Sequence, residues 1–138
     1  MYKRQTLRTP RLIDEIDGEK IPLEKGKQVI SAETASQVRT MLAGVIGPDG
    51  TADIAVDGYE LAGKTGTAEK AIEGGYSETD VVASFVGFAP ASHPEFLMAV
   101  IVDTPDPLLG GTFGGEVAAP VFEEIASSAL PYLGVRPE

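Results

Sequence analysis

Leu61-Ala62-Gly63-Lys64-Thr65-Gly66-Thr67-Ala68-Glu69-Lys70 sets a cation, two hydroxyls and a glycine on consecutive residues, Lys64 to Thr67. That composition suits holding an anion. Read as a strand, the segment alternates its side chains, so Lys64 and Gly66 share one face while Thr65 and Thr67 share the other. A ligand carboxylate can then lie along the strand edge, where Gly66 offers no side chain to obstruct it. The Thr67 amide suits a preorganised donor to a developing oxyanion.

Working outward, Tyr59 to Thr67 reads as one strand, and Val81 to Ala89 and Phe96 to Val102 as two more, joined by Pro90-Ala91-Ser92-His93-Pro94. Neither of the latter two carries a polar residue at every second position, which predicts a sheet covered on both faces. Glycines and polar residues from Ala71 to Asp80 favour a turn. Pro120, with Val121, Phe122, Ile125 and Ala129 behind it, predicts a final helix that ends before Gly134. Upstream, Leu12, Ile13 and Ile16 lead into the turn dipeptide Asp17-Gly18, and Ile21 and Leu23 follow, which predicts a short hairpin. Ser31 reads as an N-cap for a helix carrying Val38, Met41, Leu42 and Val45 and ending near Gly47-Pro48. The fold class is therefore α/β of the α+β kind, an antiparallel sheet with flanking helices. No internal repeat or low-complexity tract interrupts it.

Composition bounds the function. The 138 residues, 43% of them hydrophobic, suffice for one core. With 21 acidic against 11 basic residues the formal net charge is -10, which disfavours nucleic acid as a partner. The chain has no cysteine and one histidine, so disulfides and thiolate metal sites are excluded and no metal-ligand cluster is expected. No cofactor is expected either.

Several residues compete for attention. Gly58-Tyr59-Glu60-Leu61-Ala62-Gly63-Lys64-Thr65 satisfies the pattern of a phosphate-binding loop, and Ala99 to Asp103 resembles the strand that ends in a magnesium-holding aspartate. That reading requires a helix to begin at Lys64, yet Gly66 follows at once and Glu60 would repel phosphate. His93 reads as an exposed loop residue, Asp103 and Asp106 as an acidic loop, and Glu123-Glu124 as first-turn acids of the last helix. Gly110-Gly111 and Gly114-Gly115 fit no dinucleotide fingerprint and read as a flexible loop.

The order of short motifs along the chain carries a resemblance. Pro10-Arg11-Leu12, Gly50-Thr51-Ala52, Gly58-Tyr59, the Lys64-Thr65-Gly66 triplet, Gly74-Gly75-Tyr76-Ser77, Ala83 to Pro90, Val100 to Asp103 and Gly114 to Phe122 stand in sequence. From about Thr9 onward the chain resembles the C-terminal part of the transpeptidase domain of class B penicillin-binding proteins, especially their cell-division members. The resemblance implies a partial penicillin-binding-protein and serine β-lactamase-like fold with the Lys-Thr-Gly triplet on an edge strand. It implies acyl transfer through a serine ester to peptidoglycan stem peptides that end in two D-alanines, with β-lactams as mimics.

On the matching positions, Lys64 and Thr67 are the expected catalytic residues and Lys64, Thr65, Gly66 and Thr67 the expected substrate-binding ones. Lys64 would supply positive potential, Thr65 and Thr67 hydroxyls to the substrate carboxylate, and the Thr67 amide half of an oxyanion hole. Two other family motifs are missing. No serine is followed three residues later by lysine, the nearest case being Ser36 with Arg39, and no asparagine occurs anywhere. Arginine stays protonated and cannot replace that lysine as a base. The chain as given is therefore expected to be inactive alone, and a non-catalytic structural or binding module is the alternative. Division or elongation machinery is a further expected partner. The parent is expected at the extracytoplasmic face of the bacterial cytoplasmic membrane, held by an N-terminal anchor.

Residues 1–5, Met1-Tyr2-Lys3-Arg4-Gln5, do not match the family and can be encoded by GTG-TAT-AAG-AGA-CAG, with GTG read as a start codon, a string that belongs to a transposase adapter used in preparing sequencing libraries. They are expected to be non-native, with residues 6–138 forming the transpeptidase-like part. Sequencing the source DNA upstream of Met1 tests this: the reading frame is expected to continue into codons for the two missing motifs, and a genuine start with no such codons would refute it.

Overall fold

The structure, a computed structural model, describes residues 6–137, apart from the side chains of Thr6 and Glu78. The expectation for Met1 to Gln5 lies outside the described residues. By contacts the chain divides into two units, one ending at Val38 and the other beginning at Arg39.

In the first unit, strands β1 (Thr6–Leu7) and β4 (Lys27–Gln28) pair antiparallel. Between them lies the expected hairpin, β2 (Glu15–Ile16) against β3 (Glu19–Lys20). Its turn requires two left-handed residues, and Asp17 and Gly18 adopt φ 51° and 84°. Arg11 steadies the hairpin by pairing with Asp14 and donating to the Ile21 carbonyl at 2.7 Å. Leu12, Ile13, Ile16 and Leu23 are exposed, so backbone pairing and turn chemistry define this unit.

Helix α1 spans Ala32–Ala43. Ser31 is its N-cap, its hydroxyl accepting from the Thr34 amide at 3.0 Å. The helix stops before the expected Gly47-Pro48. The Val45 carbonyl accepts instead from the Thr51 and Ala52 amides at 3.0 and 3.2 Å, so the returning chain takes the bond that another turn would use. Val38 and Met41, expected on the apolar face, are exposed, while Leu42 is half-buried.

The second unit is built on three antiparallel strands in the order β5-β6-β7, with β5 at Ala62–Ile72, β6 at Gly75–Ala89 and β7 at Phe96–Asp103. The turn expected across Ala71 to Asp80 shrinks to Glu73-Gly74, because Ile72 pairs with Gly75 and Ala71 with Tyr76. Only Gly74, at φ 88°, needs the left-handed region there. The glycines and polar residues of this stretch favour a turn, and pairing between its ends makes strand of Ala71, Ile72, Gly75 and Tyr76.

One face of the sheet packs on α3 (Ala119–Tyr132). Phe85, Phe122 and Leu130 are its largest fully buried side chains. Phe85 meets Phe122 edge-on at 5.1 Å between ring centroids, and Phe96 lies 5.9 Å from the same ring. The Phe85 ring covers the paired glycines Gly63 and Gly87, where an added Cβ would stand 2.5 Å from it. The α3 residues turned inward are Ala119, Phe122, Ala126 and Leu130, whereas Val121 and Ile125, expected on that face, are exposed. At the C-terminal end, the Tyr59 hydroxyl donates to the Val135 carbonyl at 2.7 Å and ties the last residues to the core.

The expectation that both sheet faces are covered fails among the described residues. Leu42 and Ala43 pack with Ala62, Phe88 and Ala91 at one end of the second face. Beyond that, Val86 is 44%, Leu97 62% and Ile101 68% exposed. Apolar runs in β6 and β7 signal burial on two faces, but α3 supplies cover for one. Phe122→Ala is expected to lower unfolding free energy by about 3–5 kcal/mol, read from urea denaturation. The chain alone is expected to self-associate at micromolar concentration through its open face and the free β7 edge. Ile101→Lys should reduce that association in analytical ultracentrifugation.

Candidate functional site

Lys64 to Thr67 sit in the first half of β5, which pairs with β6 through Lys64 opposite Val86, Thr65 opposite Phe85, Gly66 opposite Ser84 and Thr67 opposite Ala83. Among the described residues, the other side of β5 has no strand partner. Residues directly opposite one another share a face. Thr65 and Thr67 therefore lie on the α3 face with Phe85 and Ala83, and Lys64 and Gly66 on the open face with Val86 and Ser84. The alternation matches the sequence reading.

This register also disposes of the phosphate-binding-loop pattern. Lys64 and Thr65 are strand residues, and no helix begins at the lysine to turn its amides toward a phosphate. The strand is buried on both faces where it begins, Gly63 under the Phe85 ring on the α3 face and Ala62 beside Phe88 on the other.

Lys64 is exposed, and its Nζ donates to the Thr65 carbonyl at 2.7 Å, which folds the ammonium back along its own strand. Gly66 is enclosed from two directions. A Cβ there would stand 2.6 Å from Ser84 Oγ, and a Cβ on Gly114 would stand 2.5 Å from the Gly66 carbonyl oxygen. Gly114 opens the short helix α2 (Gly114–Val117), which leads into α3. So Gly114-Gly115, expected as a flexible loop, are a packed contact against β5. Glu116 holds this corner by accepting from the Thr112 and Phe113 amides at 3.2 and 3.1 Å.

Both threonine hydroxyls are engaged. Thr65 Oγ1 lies 2.9 Å from Thr51 Oγ1, and Thr67 Oγ1 accepts from the Gly114 amide at 3.2 Å. From the free edge of β5, a ligand meets the Lys64 cation from one face of the strand and the hydroxyls from the other. That arrangement fits a planar anion better than an apolar ligand.

Against known proteins, the transpeptidase domain of penicillin-binding proteins matches residues 1–127. The chain belongs to this family. It is 43% identical over 130 residues to the probable peptidoglycan D,D-transpeptidase PenA of Neisseria flavescens, covering 88% of this chain and 32% of the relative. The solved transpeptidase domain of penicillin-binding protein 3 from Burkholderia pseudomallei superposes with a TM-score of 0.74 at 45% identity, covering 85% of this chain and 35% of that one. Penicillin-binding protein 3 of Mycobacterium tuberculosis, solved in complex with ampicillin, gives a TM-score of 0.73 at 32% identity, covering 86% of this chain and 28% of that one. The chain thus spans about a third of the length of these relatives. The class B resemblance and the partial penicillin-binding-protein fold read from the motif order are borne out.

Within this transpeptidase-family chain, β5 brings together all the expected site residues, Lys64, Thr65, Gly66 and Thr67. Sequence reading missed Thr51 and Gly114, which contact them from 14 and 47 residues away. Both stand in motifs that carried the resemblance, and that was their only signal. His93 is exposed. Asp106 caps the 3-10 turn Pro107–Leu109 by accepting from the Leu108 amide. Glu123 and Glu124, expected as first-turn acids, lie beyond the first turn of α3 because the helix begins at Ala119, and Glu123 instead accepts from the Ala55 amide at 2.8 Å and braces a loop. Among the described residues no cluster of side chains could hold a metal ion.

Asp103, expected as part of a plain acidic loop, is clasped instead. Next to the β5 irregularity between Glu69 and Ala71, Lys70 pairs with Asp103 and donates to Thr104 Oγ1 at 2.6 Å, which links the two outer strands across β6. The Asp103 carboxyl is held below the ordinary 3.8, first by the hydrogen bond from Lys70 and then by that from Thr104, with desolvation opposing. A depressed carboxyl contributes stability that is present above the unfolded pKa and lost as pH falls through the folded one. Thermal melts from pH 7 down to pH below 3.8 should therefore show a loss of stability that is smaller in Asp103→Asn.

Proposed function

We propose that the Lys64–Thr67 strand is the carboxylate-binding and oxyanion side of a peptidoglycan D,D-transpeptidase site whose nucleophile is not in this sequence. The observation that carries the reading is a Lys-Thr-Gly-Thr segment on the free edge of an antiparallel sheet in a chain of this family. Lys64 supplies positive potential to the substrate's terminal carboxylate. Thr65 and Thr67 offer it hydroxyls, Gly66 leaves room for close approach, and the Thr67 amide donates to the oxyanion of the tetrahedral intermediate.

The reaction this serves is transfer of an acyl group from a stem peptide to a serine with release of the terminal D-alanine, and then from that ester to an amine of another strand with release of the serine, which cross-links the wall during growth or division. β-Lactams enter the same site as carboxylate-bearing mimics. Cell-division type is the preferred assignment, with the site on the outer side of the cytoplasmic membrane and an anchor on the intact protein. Among the described residues no helix is long and apolar enough to cross a membrane. The open face of β6 and β7 is a surface for the remainder of such a domain.

With no serine-x-x-lysine and no asparagine in the sequence, this chain alone binds without reacting. Incubation with benzylpenicillin followed by intact-mass measurement should show no acyl adduct, and an adduct would refute the reading. Titration with N-acetyl-D-alanyl-D-alanine should shift the amide resonances of residues 64–67, and Lys64→Ala should abolish the shift.

A further inference from the structure

The hydroxyls of Thr65 and Thr67 are useful to a carboxylate only if their protons point toward it. A hydroxyl carries one proton and two lone pairs, and an amide N–H can only donate. The 3.2 Å contact from the Gly114 amide therefore makes Thr67 Oγ1 the acceptor, and its own proton is directed elsewhere. Thr67 is exposed, so that proton faces solvent at the strand. On Thr65, the 2.9 Å contact with Thr51 Oγ1 holds the χ1 rotamer; either hydroxyl can donate in it, and with Thr51 as the donor the Thr65 proton is left for a ligand.

Close backbone approach makes both contacts possible. A Cβ on Gly114 would collide with the Ser84 carbonyl at 2.2 Å and the Gly66 carbonyl at 2.5 Å, and a Cβ on Gly115 with the Thr51 carbonyl at 1.9 Å. The Glu116 carboxylate, bound to the Thr112 and Phe113 amides, keeps the preceding loop from drawing this corner away. We propose that Gly114 and Thr51 are positioning residues: the Gly114 amide turns the Thr67 hydroxyl into an outward donor, and the Thr51 hydroxyl sets the rotamer of Thr65, so that both serve a bound carboxylate. This rests on the reading of the Lys64–Thr67 strand as a carboxylate site, and adds to it two groups that touch the threonines and not the ligand.

The test uses the 138-residue chain, with N-acetyl-D-alanyl-D-alanine and its C-terminal amide as probes in amide-resolved NMR titrations. Thr51→Val should weaken binding of the acid about three- to tenfold, the effect of losing one ordinary hydrogen bond, and leave the already weak binding of the amide unchanged. Thr51→Ser, which keeps the hydroxyl, should restore preference for the acid. In the free chain, Thr67→Val should speed hydrogen exchange at the Gly114 amide about tenfold, while Thr67→Ser should not. A wild-type chain that binds neither probe overturns the carboxylate reading and this proposal together. If the wild type binds the acid, equal affinity in Thr51→Val, or unchanged Gly114 exchange in Thr67→Val, overturns the positioning proposal alone.

Discussion

The contact on which the rest depends is the packing of Phe85 between Phe122 and the backbone of Gly63 and Gly87. An aromatic ring covering a sheet this closely needs the positions beneath it to carry no side chain, and here the two glycines are register partners on adjacent strands. The ring therefore joins β5 to β6 on the buried face, and Phe122 joins both to α3. Lys64 follows Gly63 directly, so the contact that anchors the core stands next to the candidate site in the same strand.

From that anchor, the site is assembled by segments far apart in the chain. β5 supplies the cation and the hydroxyls, the loop after α1 supplies Thr51, and the corner before α3 supplies Gly114. Each arrives because its backbone has a bond to make. Val45 takes the amides of Thr51 and Ala52, and Glu116 takes those of Thr112 and Phe113. The second face of the sheet shows the reverse case. Its apolar residues continue along β6 and β7, yet among the described residues Leu42 and Ala43 cover one end of it while Val86, Leu97 and Ile101 are exposed. A sheet with one finished and one unfinished face is what a chain spanning about a third of its relatives would present.

Legibility followed the physics of each signal. The presence of three core strands, the hairpin at Asp17-Gly18 and the Ser31 cap depend on local chemistry and were readable, although the strand read as Tyr59 to Thr67 runs Ala62–Ile72. The inward face of α3 was not, because Val121, Phe122, Ile125 and Ala126 offer two overlapping apolar stripes and only the position of Phe85 selects between them. The extent of β6 was missed because Gly75 and Tyr76 are exposed residues whose pairing with Ile72 and Ala71, not burial, makes them strand. The end of α1 was misplaced because Val45 is apolar at helical spacing but its carbonyl is claimed by a later segment.

By itself the sequence determined the family, the composition of the site and the reagents it lacks, because those are properties of which residues are present and in what order. It also determined that Lys64 and Thr65 face opposite sides, because a strand alternates with a period of two. Only the tertiary structure decided which side meets the core, that a glycine pair read as flexible is a close contact, and that Thr51 and Gly114 hold the two threonine hydroxyls. The reason is that hydrogen bonds and close approaches between segments 14 and 47 residues apart depend on where a common core brings their backbones, and no local pattern records that distance.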